Sequence, residues 1–325
     1  MYFLGLDGGG SKTHALIANA AGEALSLGVA GYGNCSGDNF ERAFTQYTLA
    51  VDSALQQATL NREQIVASGF GLAGYDWPSE TEKVQAALDT LGLHGPRRAV
   101  NDTIIGLIGG STEGWGVVVV AGRGENCRGR DRDGHESRTV GDGYLFGDGG
   151  GGDWLVLQAI RAVATAWTGR NPPTRLTELL LNHTQTPDVT TLMEGLSLRR
   201  IQLDHSAAPL VFEAAAQGDA IALEILEGAG RELGLNAAAL SRQLHLEKEA
   251  FEVVLVGSIF NGSHPALKES LKRHVLAAAP QARFIRPVGP PVVGAVLLAM
   301  EAANITPSPT VRQHLNETTL QLMSR

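Results

Sequence analysis

The first residues of the chain include a glycine-rich segment whose composition suits phosphate binding. Asp7 is followed by Gly8, Gly9, Gly10, Ser11, Lys12 and Thr13. Successive backbone N–H groups in such a turn make an anion-binding concavity, and Ser11 and Thr13 add hydroxyl donors. Asp7 could hold Mg²⁺ through water, because this ion keeps most of its hydration shell. An ordinary glycine hairpin is the alternative interpretation.

The spacing within this segment excludes a P-loop. That motif needs GxxxxGK[ST] followed by a helix, whereas Ser11 stands between Gly10 and Lys12. The residues after Thr13 alternate as a strand does. The segment is therefore predicted to be a turn between two antiparallel strands.

Four later segments place polar residues or glycines at the end of a predicted strand or the start of a predicted helix. They are Asn101-Asp102, Ala121-Gly-Arg-Gly-Glu-Asn-Cys127, Gly147-Asp-Gly-Gly-Gly-Gly-Asp153 and Val254-Leu-Val-Gly-Ser258. Glycine at a turn lets a ligand approach the main chain closely. Several such clusters among 40 glycines indicate one large anionic ligand held by loops.

Three of the polar candidates also have a purely structural explanation. Asp102, which follows a predicted strand, could be a helix N-cap, and this role is compatible with a chemical one. Asn34 could be a turn residue. Asp148 could cap the helix that begins near Gly151, although a carboxylate among so many glycines favours a ligand site.

The composition excludes several classes of protein. The chain has 325 residues, enough for two domains. Its formal net charge of −8 argues against a general binder of nucleic acid or membrane surfaces, because both favour a basic face. The N-terminus lacks a signal-peptide pattern, and no apolar run reaches the roughly 20 residues of a membrane span. We therefore expect a cytoplasmic protein.

Hydrophobic patterns predict strands followed by alternating helices and strands, and a similar plan that begins again near Val117. The predicted strands are residues 2–6, 13–19, a third to about 29, 65–72, 99–100, 117–120 and 251–256. The predicted helices are 38 to about 60, one opening at 79, 154–168, 220–240, one around 267–275, and 292–303. Asp38 and Ser79, each followed three residues later by glutamate, resemble capping boxes. The tail beyond Pro307 is expected to be polar and only partly ordered.

In this order, the glycine-rich segments resemble those of the sugar kinase/heat-shock protein/actin superfamily. Within it, the chain resembles the BadF/BadG/BcrA/BcrD ATPase family, which includes N-acetylglucosamine and glucosamine kinases, up to Pro291-Val-Val-Gly-Ala295. The resemblance implies an α/β, two-lobed actin-like ATPase (ribonuclease H-like) fold with a cleft between the lobes. It assigns residues 1–104 and about 292–325 to the N-terminal lobe, and 105–291 to the C-terminal lobe.

The resemblance further implies an ATP- and Mg²⁺-dependent kinase that phosphorylates a hydroxyl of an amino sugar such as N-acetylglucosamine or glucosamine, by our prediction the 6-OH. Asp102 falls at the position of the catalytic base and touches the sugar, and Asp7 would hold Mg²⁺ through water. The implied phosphate contacts are Gly8, Gly9, Gly10, Ser11, Lys12, Thr13, Gly122, Arg123 and Gly124. The other implied contacts are Gly257 and Ser258 to the nucleotide, and Asn34, Asn126 and Asp148 to the sugar.

Two segments depart from the family pattern. The second loop usually reads G-T-G-S, and here it is Gly122-Arg-Gly-Glu125. After Asp148 the family usually reads Glu-Gly-Ser, and here the chain has three glycines. A phosphate-contacting hydroxyl and a carboxylate near the sugar are therefore missing. Arg123 could grip a phosphate oxygen or pair with Glu125 at the surface, and we favour the phosphate.

Two other functions stay open. An ATPase that activates a radical dehydratase would share the fold, but ligation of an iron–sulfur cluster needs thiolates placed together, and Cys35 and Cys127 lack that spacing. A non-catalytic sensor of sugar or nucleotide is supported only by the departures at Arg123 and Gly149. A homodimer is compatible with the resemblance, but no interface can be identified from the sequence.

Overall fold

The computed structural model describes residues 1–141 and 143–324, without the side chain of Tyr144. The chain forms two compact units. The first contains Met1–Val118, Arg130–Gly134 and the segment from Ile285 onwards. The second contains Val119–Gly129 and His135–Phe284.

The strands and helices that the hydrophobic patterns predict are present, and the described residues also contain elements that were not predicted, such as 125–130, 176–184, 189–197 and 309–323. The strands are β1 (Tyr2–Gly8), β2 (Thr13–Asn19), β3 (Ala24–Ala30), β4 (Ile65–Leu72), β5 (Arg97–Val100), β6 (Gly116–Ala121), β7 (Glu125–Arg130), β8 (Glu136–Arg138), β9 (Glu252–Val256) and β10 (Arg283–Ile285). The helices are α1 (Phe40–Ala58), α2 (Thr81–Asp89), α3 (Asp102–Gly110), α4 (Gly152–Trp167), α5 (Leu176–Thr184), α6 (Val189–Ser197), α7 (Pro209–Ala216), α8 (Ala220–Gln243), α9 (Ala266–Ala278), α10 (Pro291–Ala302) and α11 (Pro309–Met323).

A mixed sheet with strand order β3-β2-β1-β4-β5 forms the first unit. β1 and β2 pair antiparallel in a register that joins Gly8 to Thr13, and β2 pairs antiparallel with β3. β1 and β4, and then β4 and β5, pair in parallel. The hairpin turn between β1 and β2 therefore lies at the carboxyl end of the central strand, a common position for ligand sites in open α/β sheets.

Helices cover both faces of this sheet. Side chains of a strand alternate between the faces, so Leu4 enters the core beneath α1 together with Tyr47. Phe3 enters the core on the other face, which α3, α10 and α11 complete with residues such as Ile104 and Leu315. Apolar side chains pack against β1 in both cores, which makes this strand a rigid support for the residues that follow it.

A second sheet, with strand order β10-β9-β6-β7-β8, lies in the middle of the chain. Five of the six residues of β6 are buried, as the apolar run at 117–120 predicts. In the second unit the long helix α8 packs against α9, α7 and α4. The turn between β6 and β7 and the start of α4 carry the glycine-rich segments of this unit.

Two expectations about helix starts are wrong, and the tail is more ordered than expected. Asp38 does not cap α1, because Gly37–Asn39 forms a 3-10 turn and α1 begins at Phe40. A 3-10 turn over Pro78–Glu80 likewise moves the start of α2 to Thr81. The tail beyond Pro307 forms α11, with Ser308 as its N-cap.

Within residues 1–141 and 143–324, none of the helices combines the length and the hydropathy that crossing a bilayer requires.

Candidate functional site

The turn between β1 and β2 offers unpaired backbone donors. Gly9 donates its N–H to the Lys12 carbonyl at 3.1 Å, which closes the turn. Among the described residues, the N–H groups of Gly10, Ser11 and Lys12 donate no hydrogen bond, and all three residues are exposed. A row of exposed N–H groups at a turn is an anion-binding concavity.

Buried polar contacts hold this turn from below. The Thr13 hydroxyl, fully buried, donates to the Gly31 carbonyl at 2.9 Å. Gly33 donates its N–H to the Gly9 carbonyl at 2.9 Å, and the Tyr47 hydroxyl donates to the Gly33 carbonyl at 2.5 Å. Thr13 thus has a structural task, and its contact with phosphate stays a prediction. Tyr47 was missed as a site residue, because its place in the helical pattern of α1 indicated only core packing.

Asp7 is a buried carboxylate at the end of β1, with 9% of its surface exposed. Its Oδ2 lies 4.0 Å from Nδ1 of His14, its partner across the hairpin. Burial raises the pKa of Asp7, and His14 opposes that shift. A nearby cation stabilises the charged form of a carboxylate that is desolvated in this way. The Asp7 carboxylate therefore fits the Mg²⁺ role implied by the resemblance.

Asp102 is the first residue of α3 but not its cap. The Asn101 side chain accepts a hydrogen bond from the Thr103 N–H at 2.9 Å, which makes Asn101 the N-cap. The Asn101 amide also donates to Asp76 at 3.1 Å. Asp102 is half-buried, and the carboxylate stands in the first helical turn, where the helix dipole stabilises a negative charge.

Two candidate carboxylates of the first unit, Asp7 and Asp102, lie within electrostatic range of one tyrosine, Tyr47. Burial raises the pKa of the Tyr47 hydroxyl, and the Cys35 thiol, Asp102 and Asp7 raise it further. Asp7 and Asp102 are therefore both close to Tyr47, the residue whose hydroxyl helps to hold the first turn.

Asn34 shows the turn role that the sequence left open. Its Oδ1 accepts the Ser36 N–H at 2.9 Å, which is the hydrogen bond of an Asx-turn. The sugar contact of Asn34 stays a prediction.

The turn between β6 and β7 is bonded to the start of α4. Gly152 donates its N–H to the Gly122 carbonyl at 2.8 Å, and Asp153 donates to the Arg123 carbonyl at 2.9 Å. Within the described residues, the N–H groups of Arg123 and Gly124 donate no hydrogen bond. The second turn is thus similar to the first. In each, backbone carbonyls of the turn accept hydrogen bonds, and several of its N–H groups donate none to the described residues.

Arg123 pairs with Asp153 rather than with Glu125. Its Nε donates to Asp153 Oδ2 at 3.0 Å, while three quarters of the side chain is exposed. Asp153 Oδ1 accepts the His205 N–H at 3.0 Å, and Nδ1 of His205 lies 3.8 Å away. Sequence reasoning missed Asp153 and His205, which are distant in the chain from the second turn.

Asp148 and Asn126 belong to the second unit. The Asp148 carboxylate is buried and accepts the Gly143 N–H at 2.8 Å and the Gly141 N–H at 3.3 Å. It therefore does not cap α4, whose N-cap is Gly151. Oδ1 of Asn126 is buried and has no hydrogen-bond partner among the described residues. Their contacts with the sugar stay predictions.

Gly257 and Ser258 follow β9 beside the second turn. Gly257 has φ +111°, and a Cβ there would lie 2.1 Å from the Ala121 carbonyl oxygen and 3.1 Å from the Gly122 nitrogen. Only glycine fits this approach. The implied nucleotide loop is therefore in contact with the implied phosphate loop of the same unit.

Both cysteines are buried thiols. Burial raises the pKa of Cys35 to about 11 and the pKa of Cys127 well above its usual range. Thiolates, the form that an iron–sulfur cluster requires, are thus disfavoured at both positions.

Comparison with solved structures identifies the class of fold. A protein assigned as an N-acetylglucosamine kinase from Chromobacterium violaceum matches with a TM-score of 0.64 and 24% identity, over 92% of this chain and 98% of that one. The fold is that of the actin-like sugar kinases, as the sequence resemblance predicts.

The family is shown by a match over most of the chain. The model of the BadF/BadG/BcrA/BcrD ATPase family matches residues 4–299, and the chain belongs to this family. The N-acetylmuramic acid/N-acetylglucosamine kinase of Clostridium acetobutylicum is 26% identical, over 92% of this chain and 98% of the relative. The N-acetyl-D-glucosamine kinase of Dictyostelium discoideum is 28% identical over the same shares. The chain is accordingly a phosphotransferase of the kinase class.

Proposed function

We propose that the protein transfers the γ-phosphate of ATP to a hydroxyl, the 6-OH, of an amino sugar such as N-acetylglucosamine or glucosamine. The observation that carries the proposal is the pair of hairpin turns with unpaired, exposed N–H donors at Gly10–Lys12 and Arg123–Gly124. Phosphoryl transfer asks a protein mainly for positioning and electrostatic stabilisation, and preorganised N–H groups supply both.

Asp102 is the proposed base. Its carboxylate would accept a hydrogen bond from the acceptor hydroxyl, orient its oxygen towards the γ-phosphorus, and take the proton as the new O–P bond forms and the bond to ADP breaks. An aspartate carboxylate is a weak base, so orientation and late acceptance of the proton are its main contributions. Because Asn101 caps α3, the Asp102 carboxylate is not needed for the cap.

Charge on the phosphates would be balanced by several groups. The N–H groups of the two turns would bind the phosphate oxygens, and the Arg123 guanidinium would add a cation to the second turn. Bound Mg²⁺ would neutralise charge on the β- and γ-phosphates, with Asp7 holding it through water. The buried position of Asp7 and its raised pKa support this assignment.

The relatives' names support an amino sugar as the acceptor. Asn34, Asn126 and Asp148 are the proposed sugar contacts. The buried Asn126 Oδ1 is an acceptor without a described partner, and such an atom gains most from a ligand donor.

A sugar panel tests the proposal. ADP release from MgATP is measured with glucosamine, N-acetylglucosamine, N-acetylmannosamine and glucose, and the phosphorylated product is identified by mass spectrometry. We expect ADP and a sugar 6-phosphate in equal amounts with an amino sugar. ADP release that ignores every sugar would indicate an activating ATPase, and binding without turnover would indicate a sensor.

A further inference from the structure

The three glycines after Asp148 are required by side chains that occupy the space of their missing Cβ atoms. A Cβ at Gly149 would lie 2.8 Å from Nε1 of Trp154. A Cβ at Gly151 would lie 2.7 Å from Oε2 of Glu125 and 2.6 Å from the backbone of Gly124. The side chains that the family usually carries at 149 and 151 therefore do not fit this packing, and a different carboxylate, that of Glu125, stands beside the segment.

Glu125 points towards α4 and not away from the turn. Its Oε2 accepts the Gly151 N–H at 3.2 Å, and the side chain is half-buried. Oε1 accepts no hydrogen bond from the described residues, and Glu125 is only half-buried. One oxygen is thus fixed by the backbone and the other is available to a ligand.

The surroundings of Glu125 favour a neutral or cationic hydrogen-bond donor as that ligand. Burial raises the pKa of Glu125 to about 7, and the carboxylates of Asp148 and Asp153 raise it further. The hydrogen bond from the Gly151 N–H acts in the opposite direction and lowers the pKa. Arg123, the neighbouring cation, is engaged by Asp153. At the second oxygen of Glu125 itself, an anionic phosphate oxygen would be repelled, whereas a sugar hydroxyl or ammonium would be attracted; the proposed phosphate contacts of the second turn are its N–H groups and Arg123.

We propose that Glu125 is a specificity-determining residue of the acceptor site: its free Oε1 accepts a hydrogen bond from a hydroxyl or amino group of the sugar, beside Asp148. This inference rests on the proposed function. In this inference Glu125 is the carboxylate that lies near the sugar in this chain. Gly151 donates the N–H that holds the Glu125 side chain, and its missing Cβ leaves the space that this side chain occupies.

The test is Glu125→Gln, which keeps the shape and the bond from Gly151 but removes the charge. The sugar is varied at saturating MgATP, and MgATP is varied at saturating sugar. We expect kcat/KM for the sugar to fall about tenfold or more, since a hydrogen bond to a charged group is lost, with KM for MgATP changed by less than about twofold. Glu224→Gln, an exposed carboxylate of α8, is the matched control and should match the wild type.

The pH profile separates a direct contact from a structural effect. In the wild type kcat/KM for the sugar should rise as the pH passes about 7 and Glu125 ionises, and the step should be absent in Glu125→Gln. If that variant folds poorly, Glu125→Asp serves instead and should lose part of kcat/KM for the sugar.

Each contrary result has a separate meaning. An unchanged sugar kcat/KM in Glu125→Gln, or a defect confined to KM for MgATP or to the Mg²⁺ requirement, overturns the role of Glu125. A wild type that phosphorylates no amino sugar overturns the proposed function itself, and the inference with it.

Discussion

The Asn101 side chain accepts the Thr103 N–H at 2.9 Å, and so α3 is capped by the residue before Asp102. Asn101 also donates to Asp76, in the segment after β4. Asn101 therefore holds the start of α3 in place through two hydrogen bonds. A substitution of Asp102 can change the chemistry of the site without removing the helix cap.

Asn101→Ala should lower both stability and turnover. Loss of an N-cap costs about 1 kcal/mol of stability. A loosened first helical turn of α3 would also misplace Asp102, which lies in it. The thermal midpoint and kcat are measured together. Asp188→Ala, which removes a similar cap from the peripheral helix α6, should lower stability while kcat is unchanged. Equal kcat in both variants would show that Asn101 does not position Asp102.

Arg123→Ala should raise KM for MgATP about threefold to tenfold, because an exposed guanidinium gives a phosphate a modest charge-assisted bond. Arg123→Thr should recover part of the loss by restoring the hydroxyl of the family pattern. Steady-state kinetics on both variants check this expectation.

Asp153→Asn is the matched control for Arg123, since it breaks the same ion pair but leaves the guanidinium. It should retain more MgATP affinity than Arg123→Ala. If Arg123→Ala equals the wild type in kcat and in KM for MgATP, Arg123 has no contact with phosphate.

Asp7→Asn should increase thermal stability while it impairs use of Mg²⁺. The folded pKa of Asp7 is raised, so its contribution to stability is present below the unfolded pKa and is lost as the pH rises through the folded value. At about pH 8 the ionised carboxylate thus costs stability, which the amide avoids. Thermal midpoints without ligand and Mg²⁺ titrations of activity are measured, with exposed Asp38→Asn as control. A lower midpoint with an unchanged Mg²⁺ requirement would contradict the assignment.

Glu125→Gln should become more stable relative to the wild type as the pH rises. The folded pKa of Glu125 is about 7, above its unfolded value, so stability is lost between about pH 4.5 and 7 in the wild type alone. After allowance for solvent screening, the difference is on the order of 1–2 kcal/mol. Thermal midpoints of both proteins at about pH 5 and about pH 8 check it; a constant difference would mean that Glu125 titrates normally.

Several strands were predictable from the sequence because they have strong local patterns, whereas the class of fold followed from the resemblance to the family. The alternation in β2 and the apolar run of β6 determine these elements without distant partners. Helix α11 was missed because its side chains are mostly polar and few of them are buried, among them Leu315 and Thr319. The Thr318 hydroxyl accepts the Ala24 N–H, a contact almost 300 residues apart in the chain.

The two turns of the candidate site were predictable from the glycine spacing at Gly8–Gly10 and Gly122–Gly124. Contacts between segments were not predictable. The pairing of Arg123 with Asp153, and the bond from Gly151 to Glu125, depend on the second turn lying against the start of α4. No local pattern specifies that packing, and the family pattern at these positions is altered.

Asp102→Asn tests the central claim most directly, because Asn101 keeps the helix cap in the variant. We measure kcat with MgATP and the best amino sugar, binding of MgATP by calorimetry, and the thermal midpoint. The account predicts a fall in kcat of about 100-fold or more, with ATP binding and stability close to those of the wild type. A variant that keeps more than about a tenth of the wild-type kcat, a barrier change below about 1.4 kcal/mol, would contradict the assignment of Asp102 as the base.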